Sequence, residues 1–223
     1  MESIKEKVEH AFKSSYEEYK LIVNDPEGEG FKPWSNEERL SIHETNQVAN
    51  FLFAYKQRNK ELNKELNKDC ITWHELSVPY MKDGKNKTNH VDGFIIDGNN
   101  VIFIEAKRFS RVNARQEELY QDLKNIVELS DIERKKFKMR LPNGLSNKYN
   151  FYCLLLADYW IYRNLKTKTL LPESIDWKTI VSGYEERDEV KKKTNLLDFN
   201  CTDQLGSDKI YHLAYALFEL NNF

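Results

Sequence analysis

Polar and apolar positions along the chain follow two periods, one helical and one of strict alternation. Residues 2–22 carry the three-and-four spacing of an amphipathic helix, and Asn24, Asp25, Pro26, Gly28 and Gly30 mark a loop after it. In Pro33-Trp34-Ser35-Asn36-Glu37-Glu38, Ser35 reads as an N-cap and Glu38 as its capping-box partner. The helix they open is predicted to run to about Arg58. The polar stretch 61–69 either extends that helix or links it onward. Residues 71–80 are β-rich, 82–89 form a polar loop, and 91–107 form a β-hairpin turning at Asp97-Gly98-Asn99-Asn100. Residues 111–129 follow a helical pattern, 133–147 read as a basic loop, and 149–157 form a strand of the buried type. Signals over 158–206 are mixed. Ser207 to Asn221 predicts a closing helix with Ile210, Leu213, Leu217 and Leu220 on one face. This order predicts an α/β fold: a mixed β-sheet flanked by helices, with additional N- and C-terminal helices.

Composition narrows the class. Of 223 residues, 40% are hydrophobic and 31% charged, which suffices for a core and argues against general disorder. The length suits a single domain over 1–223, with a core at about 35–158 and a C-terminal extension over 159–223. A net charge of −2 gives no global attraction to nucleic acid, so any such contact must come from local basic patches. Cys70, Cys153 and Cys201 are widely spaced and form no CxxC, which points away from structural zinc and disulfides. The start of the sequence has no signal-peptide core, and the run 151–157 is too short to span a bilayer. A cytoplasmic protein with no membrane partner is the expectation. There is no P-loop, GxSxG, HExxH or EF-hand pattern.

The hairpin carries the candidate chemistry. Side chains alternate along a strand, so Glu105 and Lys107 share a face. A two-residue loop pairs Asp97 with Asn100, and a four-residue loop pairs Ile96 with Val101. Either register sets Asp92 opposite Glu105, with β-carbons about 4.5–5.5 Å apart. Two carboxylates at that distance among Val, Ile and Phe repel unless something compensates. A hard divalent cation does so economically, because Mg²⁺ takes one or two carboxylates plus waters and phosphate oxygens. Lys107 then adds positive charge beside it. Glu44 falls on the apolar stripe formed by Leu40, Val48, Phe51 or Leu52, and Tyr55, where a carboxylate needs a partner or a metal.

Asp92, twelve intervening residues, then Glu105-Ala106-Lys107 resembles the PD-(D/E)xK nuclease superfamily, whose fold is restriction-endonuclease-like. Glu44 within His43-Glu44-Thr45-Asn46-Gln47 is similar to that family's helix position, and the helix after Lys107 carries Gln116 and Gln121, where such nucleases often place a Gln. The resemblance covers roughly 35–158. One departure is Val91, where the motif name has Pro. It implies Mg²⁺, with Mn²⁺ able to substitute, held by Asp92, Glu105, the Ala106 carbonyl and Glu44. Asp92, Glu105, Lys107 and Glu44 would be catalytic. The implied reaction is phosphodiester hydrolysis, with DNA as the partner and an endonuclease of restriction or repair type as the role. A homodimer stays open. The rivals are a binding module for nucleic acid or protein that kept the fold, and a structural protein with an accidental motif.

Lesser candidates lie nearby. Lys82, Lys85 and Lys87, and the run from Arg134 to Arg140, could grip phosphates. His74-Glu75 can place only one member on any face of its strand. Lys191-Lys192-Lys193, after Glu185-Glu186-Arg187-Asp188-Glu189, reads as a mixed-charge helical surface.

Overall fold

The structure, a computed structural model, describes residues 2–23, 44–62, 70–82, 85–109, 112–142, 148–162, 176–202, 209–221 and 223. Two helices come first, α1 (Ile4–Val23) and α2 (Glu44–Leu62). Strands β1 (Ile71–Lys82), β2 (Lys85–Asp97) and β3 (Asn100–Phe109) follow. Then come α3 (Val112–Val127), α4 (Asp131–Lys138) and β4 (Asn150–Tyr162). The last elements are α5 (Trp177–Glu186), α6 (Asp188–Lys191), β5 (Thr194–Cys201) and β6 (Lys209–Leu220).

The strands form one six-stranded sheet in the order β1-β2-β3-β4-β6-β5. It is mixed: β3 and β4 are parallel, and the other neighbours are antiparallel. A core lies on each face. Val8, Phe12, Val48, Phe51 and Tyr55 of α1 and α2 cover Ile95, Ile102, Ile104 and Leu154. Leu119, Leu123, Ile126 and Phe137 of α3 and α4, with Trp177 and Val181 of α5, cover Phe94, Phe103, Phe151 and Leu155 on the other. The α/β class and the flanked mixed sheet stand as read from the sequence. Among the described residues no helix is long and apolar enough to cross a membrane.

Three expectations are corrected. The expected C-terminal helix is strand β6. Its residues 213–218 are all buried, because the strand lies between β4 and β5 with both faces covered. A strand buried on both sides reads as a continuous apolar run, from which a helical subset is easily drawn. The expected basic loop after 133 begins as α4, opened by a reciprocal capping box between Ser130 and Glu133. The expected polar loop over 82–89 is largely strand: β1 and β2 keep register out to Lys82 opposite Lys85. Among the described residues no third strand pairs with this stretch, so the backbone of β1 and β2 runs on beyond the β2–β3 ladder. The expected start of the second helix at Ser35, with Glu38, lies outside the described residues.

A buried polar network fastens the hairpin to the helices. Asp97 accepts from Lys7 Nζ at 2.5 Å and from Tyr55 Oη at 3.0 Å, and Lys7 also donates to Asn59. Removing one partner of such a buried pair costs about 3–5 kcal/mol.

Candidate active site

The hairpin turn sets the register. Gly98 takes φ +60° and Asn99 stays at negative φ, as in a two-residue type II′ turn. Asp97 then pairs with Asn100, and the ladder runs to Gly93 opposite Ile104. Asp92 and Glu105 are the next step, and there β2 leaves β3. In place of a ladder bond, Asp92 Oδ2 accepts the backbone N–H of Ala106 at 2.8 Å. In an antiparallel ladder the N–H and carbonyl of one residue face the same neighbour. The Ala106 carbonyl is therefore turned toward the same gap.

Two further irregularities fall at this step. The β1–β2 ladder has no registered pair at Glu75 and Asp92, and Glu75 takes φ +53°, a left-handed conformation unusual for a residue with a side chain. Val91 packs in the same core as Phe94 and Ile96, so the alternation of β2 breaks between 91 and 94. Beyond the break, β1 and β2 continue as a two-stranded arm past the last β2–β3 pair. The sheet thus splits where the two carboxylates meet. Gly93 permits close approach from the other face: a Cβ there would lie 2.7 Å from Val48 Cγ1 of α2.

Glu105 is 2% exposed, and its Oε1 has no hydrogen-bond partner among the described residues. Burial drives its carboxyl well above the usual range, and the charges of Asp122 and Asp92 push it the same way. Asp92 lies close enough to hydrogen-bond with the protonated form. Lys107 shares the face, and its Nζ is 2.9 Å from Asp122 of α3. Burial lowers the Lys107 pKa, but the charges and hydrogen bond of Asp122, with Asp92 and Glu105, outweigh it and raise the value. Three carboxyls thus surround one ammonium.

This donor set bears on the implied metal. Among the described residues no group of three or more His, Cys, Asp or Glu is arranged to hold a metal ion. Two carboxyls with one unsatisfied buried oxygen, beside a backbone carbonyl, still fit a cation that takes one or two carboxylates and fills its remaining positions with water and phosphate.

The structure brings Asp92, Glu105, Ala106 and Lys107 together. Glu44 is the first residue of α2, one turn before Val48, and its side chain lies outside the described residues. Of the two glutamines of α3, Gln121 is exposed and bonds Asn125, and the backbone carbonyl of Gln116 accepts from Tyr184. Asp122 of α3 stands in the cluster, paired with Lys107. The signal for it was available, because position 122 is three after Leu119 and four before Ile126, a carboxylate on the buried stripe of α3. His74 pairs with Gly93, the residue that faces α2, while Glu75 is exposed. Comparison with known proteins found no matching family model, no matching curated protein and no matching solved structure.

Of the basic clusters, the side chains of Lys82, Lys85 and Lys87 lie outside the described residues, while their backbone forms the far end of the arm. In α4, Arg134 donates to the Val127 carbonyl and Lys138 to that of Phe223, while Lys135 and Lys136, and Arg140 in the turn after the helix, are exposed. Phe137 anchors α4 on Phe94 and Phe103, each two positions from Asp92 or Glu105. The run 191–193 begins at the last residue of α6 and ends in a turn, with Lys191 and Lys192 exposed.

Proposed function

We propose that the chain is a Mg²⁺-dependent nuclease of the PD-(D/E)xK type, with a restriction-endonuclease-like core, that hydrolyses phosphodiester bonds in DNA. The observation that carries this reading is the buried Glu105, with an oxygen that has no hydrogen-bond partner among the described residues, beside Asp92 and on one face with Lys107. A buried carboxyl beside a second carboxylate is costly, and groups perturbed in this way cluster at working sites.

Each residue has a role in this reading. Asp92 is fixed by the Ala106 N–H, and its carboxylate would be one ligand. Glu105, its carboxyl held above the usual pKa range by burial, would be the second carboxylate ligand. The Ala106 carbonyl adds a neutral donor, and Glu44 would complete the shell from α2. The cation would supply polarisation of a phosphoryl oxygen and a more acidic water. Lys107, which cannot ligate while protonated, places positive charge where the phosphoryl group becomes more anionic. The lysines of the arm and the exposed basic residues at 135, 136 and 140 would contact a phosphate backbone.

The rival of a non-catalytic binding module draws on the Lys107–Asp122 pair, which a purely structural role would also produce. Incubating the protein with plasmid and linear DNA, in Mg²⁺ and in EDTA, separates the two. Metal-dependent cutting supports the nuclease, and salt-sensitive binding without cutting supports the module.

A further inference from the structure

We propose that Asp122 is a positioning residue that holds the Lys107 ammonium beside the Asp92–Glu105 pair and out of the place a cation would take. The inference rests on the nuclease reading of that pair.

Lys107 has three carboxyls within electrostatic reach, two on the hairpin and one on α3. Only Asp122 forms an ion pair with it among the described residues, at 2.9 Å, with side-chain exposures of 17% for Lys107 and 24% for Asp122. The choice matters. An ammonium that moved onto Glu105 or Asp92 would neutralise the carboxyls and compete with any divalent ion for the same oxygens. Tethered to Asp122, it stays on the shared face without filling the gap between β2 and β3. The tether is rigidly mounted, because α3 packs Leu119, Leu123 and Ile126 into the core that also receives Phe103 and Leu155. Other groups around it are Glu118 on α3, Cys153 on β4 and Tyr184 on α5. None of these is a cation, so Lys107 has no competitor for Asp122 among them.

The test uses the full chain in three forms: wild type, Asp122→Asn and Asp122→Glu. Thermal melting checks that each is folded. Without metal, in EDTA, amine acylation of Lys107 is followed by mass spectrometry. With Mg²⁺, kcat and KM for DNA cleavage are measured. The proposal expects Lys107 to be protected in the wild type and to acylate several-fold faster in Asp122→Asn. It also expects kcat to fall about tenfold in that variant with KM for DNA unchanged, the scale typical of losing a group that orients a site residue. Asp122→Glu, which restores the charge, should recover part of both. Wild-type labelling and wild-type kcat in Asp122→Asn overturn the proposal while the nuclease reading stands. A wild type that never cuts DNA overturns the nuclease reading and the proposal with it, and any change in labelling then marks a structural ion pair.

Discussion

Asp92 Oδ2 accepts the backbone N–H of Ala106 at 2.8 Å, one residue past Glu105 and in place of the next rung of the β2–β3 ladder. A side chain has taken over a backbone bond, and the sheet divides at that point. The division puts a fixed carboxylate, a buried carboxyl and a backbone carbonyl around one gap.

If Asp92 is both a ligand and the clasp that ends the ladder, Asp92→Ala should weaken Mg²⁺ and Mn²⁺ binding. Cleavage should recover partly at high metal concentration, which a metal titration of the rate will show. Loss of activity that no metal concentration relieves would assign Asp92 a different role.

The buried Glu105 carboxyl makes a prediction about pH. The group ionises near 4.5 in an unfolded chain and well above that in the folded one. Between the two values the folded state holds the extra proton, so metal-free stability falls as pH rises through that window. Glu105→Gln removes this dependence. In EDTA at pH 8 the variant should be more stable than wild type by about 1–3 kcal/mol, the scale of an unsatisfied buried polar group. The variant should also lose the melting-temperature rise that Mg²⁺ or Mn²⁺ gives the wild type. Parallel stability curves from pH 5 to 8 would contradict this account of Glu105.

Lys107 is expected to act on the rate and not on the metal. Lys107→Ala should retain the fold and bind Mn²⁺, and should lose about 10²–10³ in kcat, the scale of a positioned electrostatic partner. Calorimetry and single-turnover cleavage read the two halves separately.

Much of this was legible in the sequence, and the parts that were not have identifiable causes. The hairpin, its register and the meeting of Asp92 with Glu105 follow from the Gly98-Asn99 turn, because a short turn leaves the pairing no freedom. The break in β2 alternation beyond Asp92 leaves no mark on composition, and Glu75 at φ +53° is not a residue that announces a left-handed position. Strand β6 was misread because a doubly buried strand contains a helical subset of apolar positions. Helix α4 is obscured by its own charge: Arg134, Lys135, Lys136 and Lys138 leave Phe137 and the Ser130–Glu133 box as its main helical signals. Asp122 is legible by the same rule as Glu44, because its spacing from Leu119 and Ile126 puts a carboxylate on an apolar stripe.

The close packing of α2 on the hairpin predicts the effect of Gly93→Ala. The new methyl would meet Val48 Cγ1 at 2.7 Å and Ile104 Cβ at 3.3 Å. Overpacking of this kind costs about 1–3 kcal/mol. The variant should melt earlier and bind metal less tightly, since relief of the clash moves α2 or β2 next to Asp92.

DNA contacts are expected from the arm and from α4. Neutralising Lys82, Lys85 and Lys87 together, or Lys135, Lys136 and Arg140 together, should weaken binding. Each lost phosphate contact should flatten the salt dependence by about 0.9 in log–log slope. Unchanged affinity and slope in both variants would place the nucleic-acid surface elsewhere.

The most direct test of the central claim is plasmid cleavage by wild type and Lys107→Ala side by side, in Mg²⁺ and in EDTA. The account predicts cutting by the wild type in Mg²⁺ alone, with the variant slower by about 10²–10³. Cutting that persists in EDTA, a variant as fast as wild type, or no cutting by the wild type in Mg²⁺ or Mn²⁺ would contradict it.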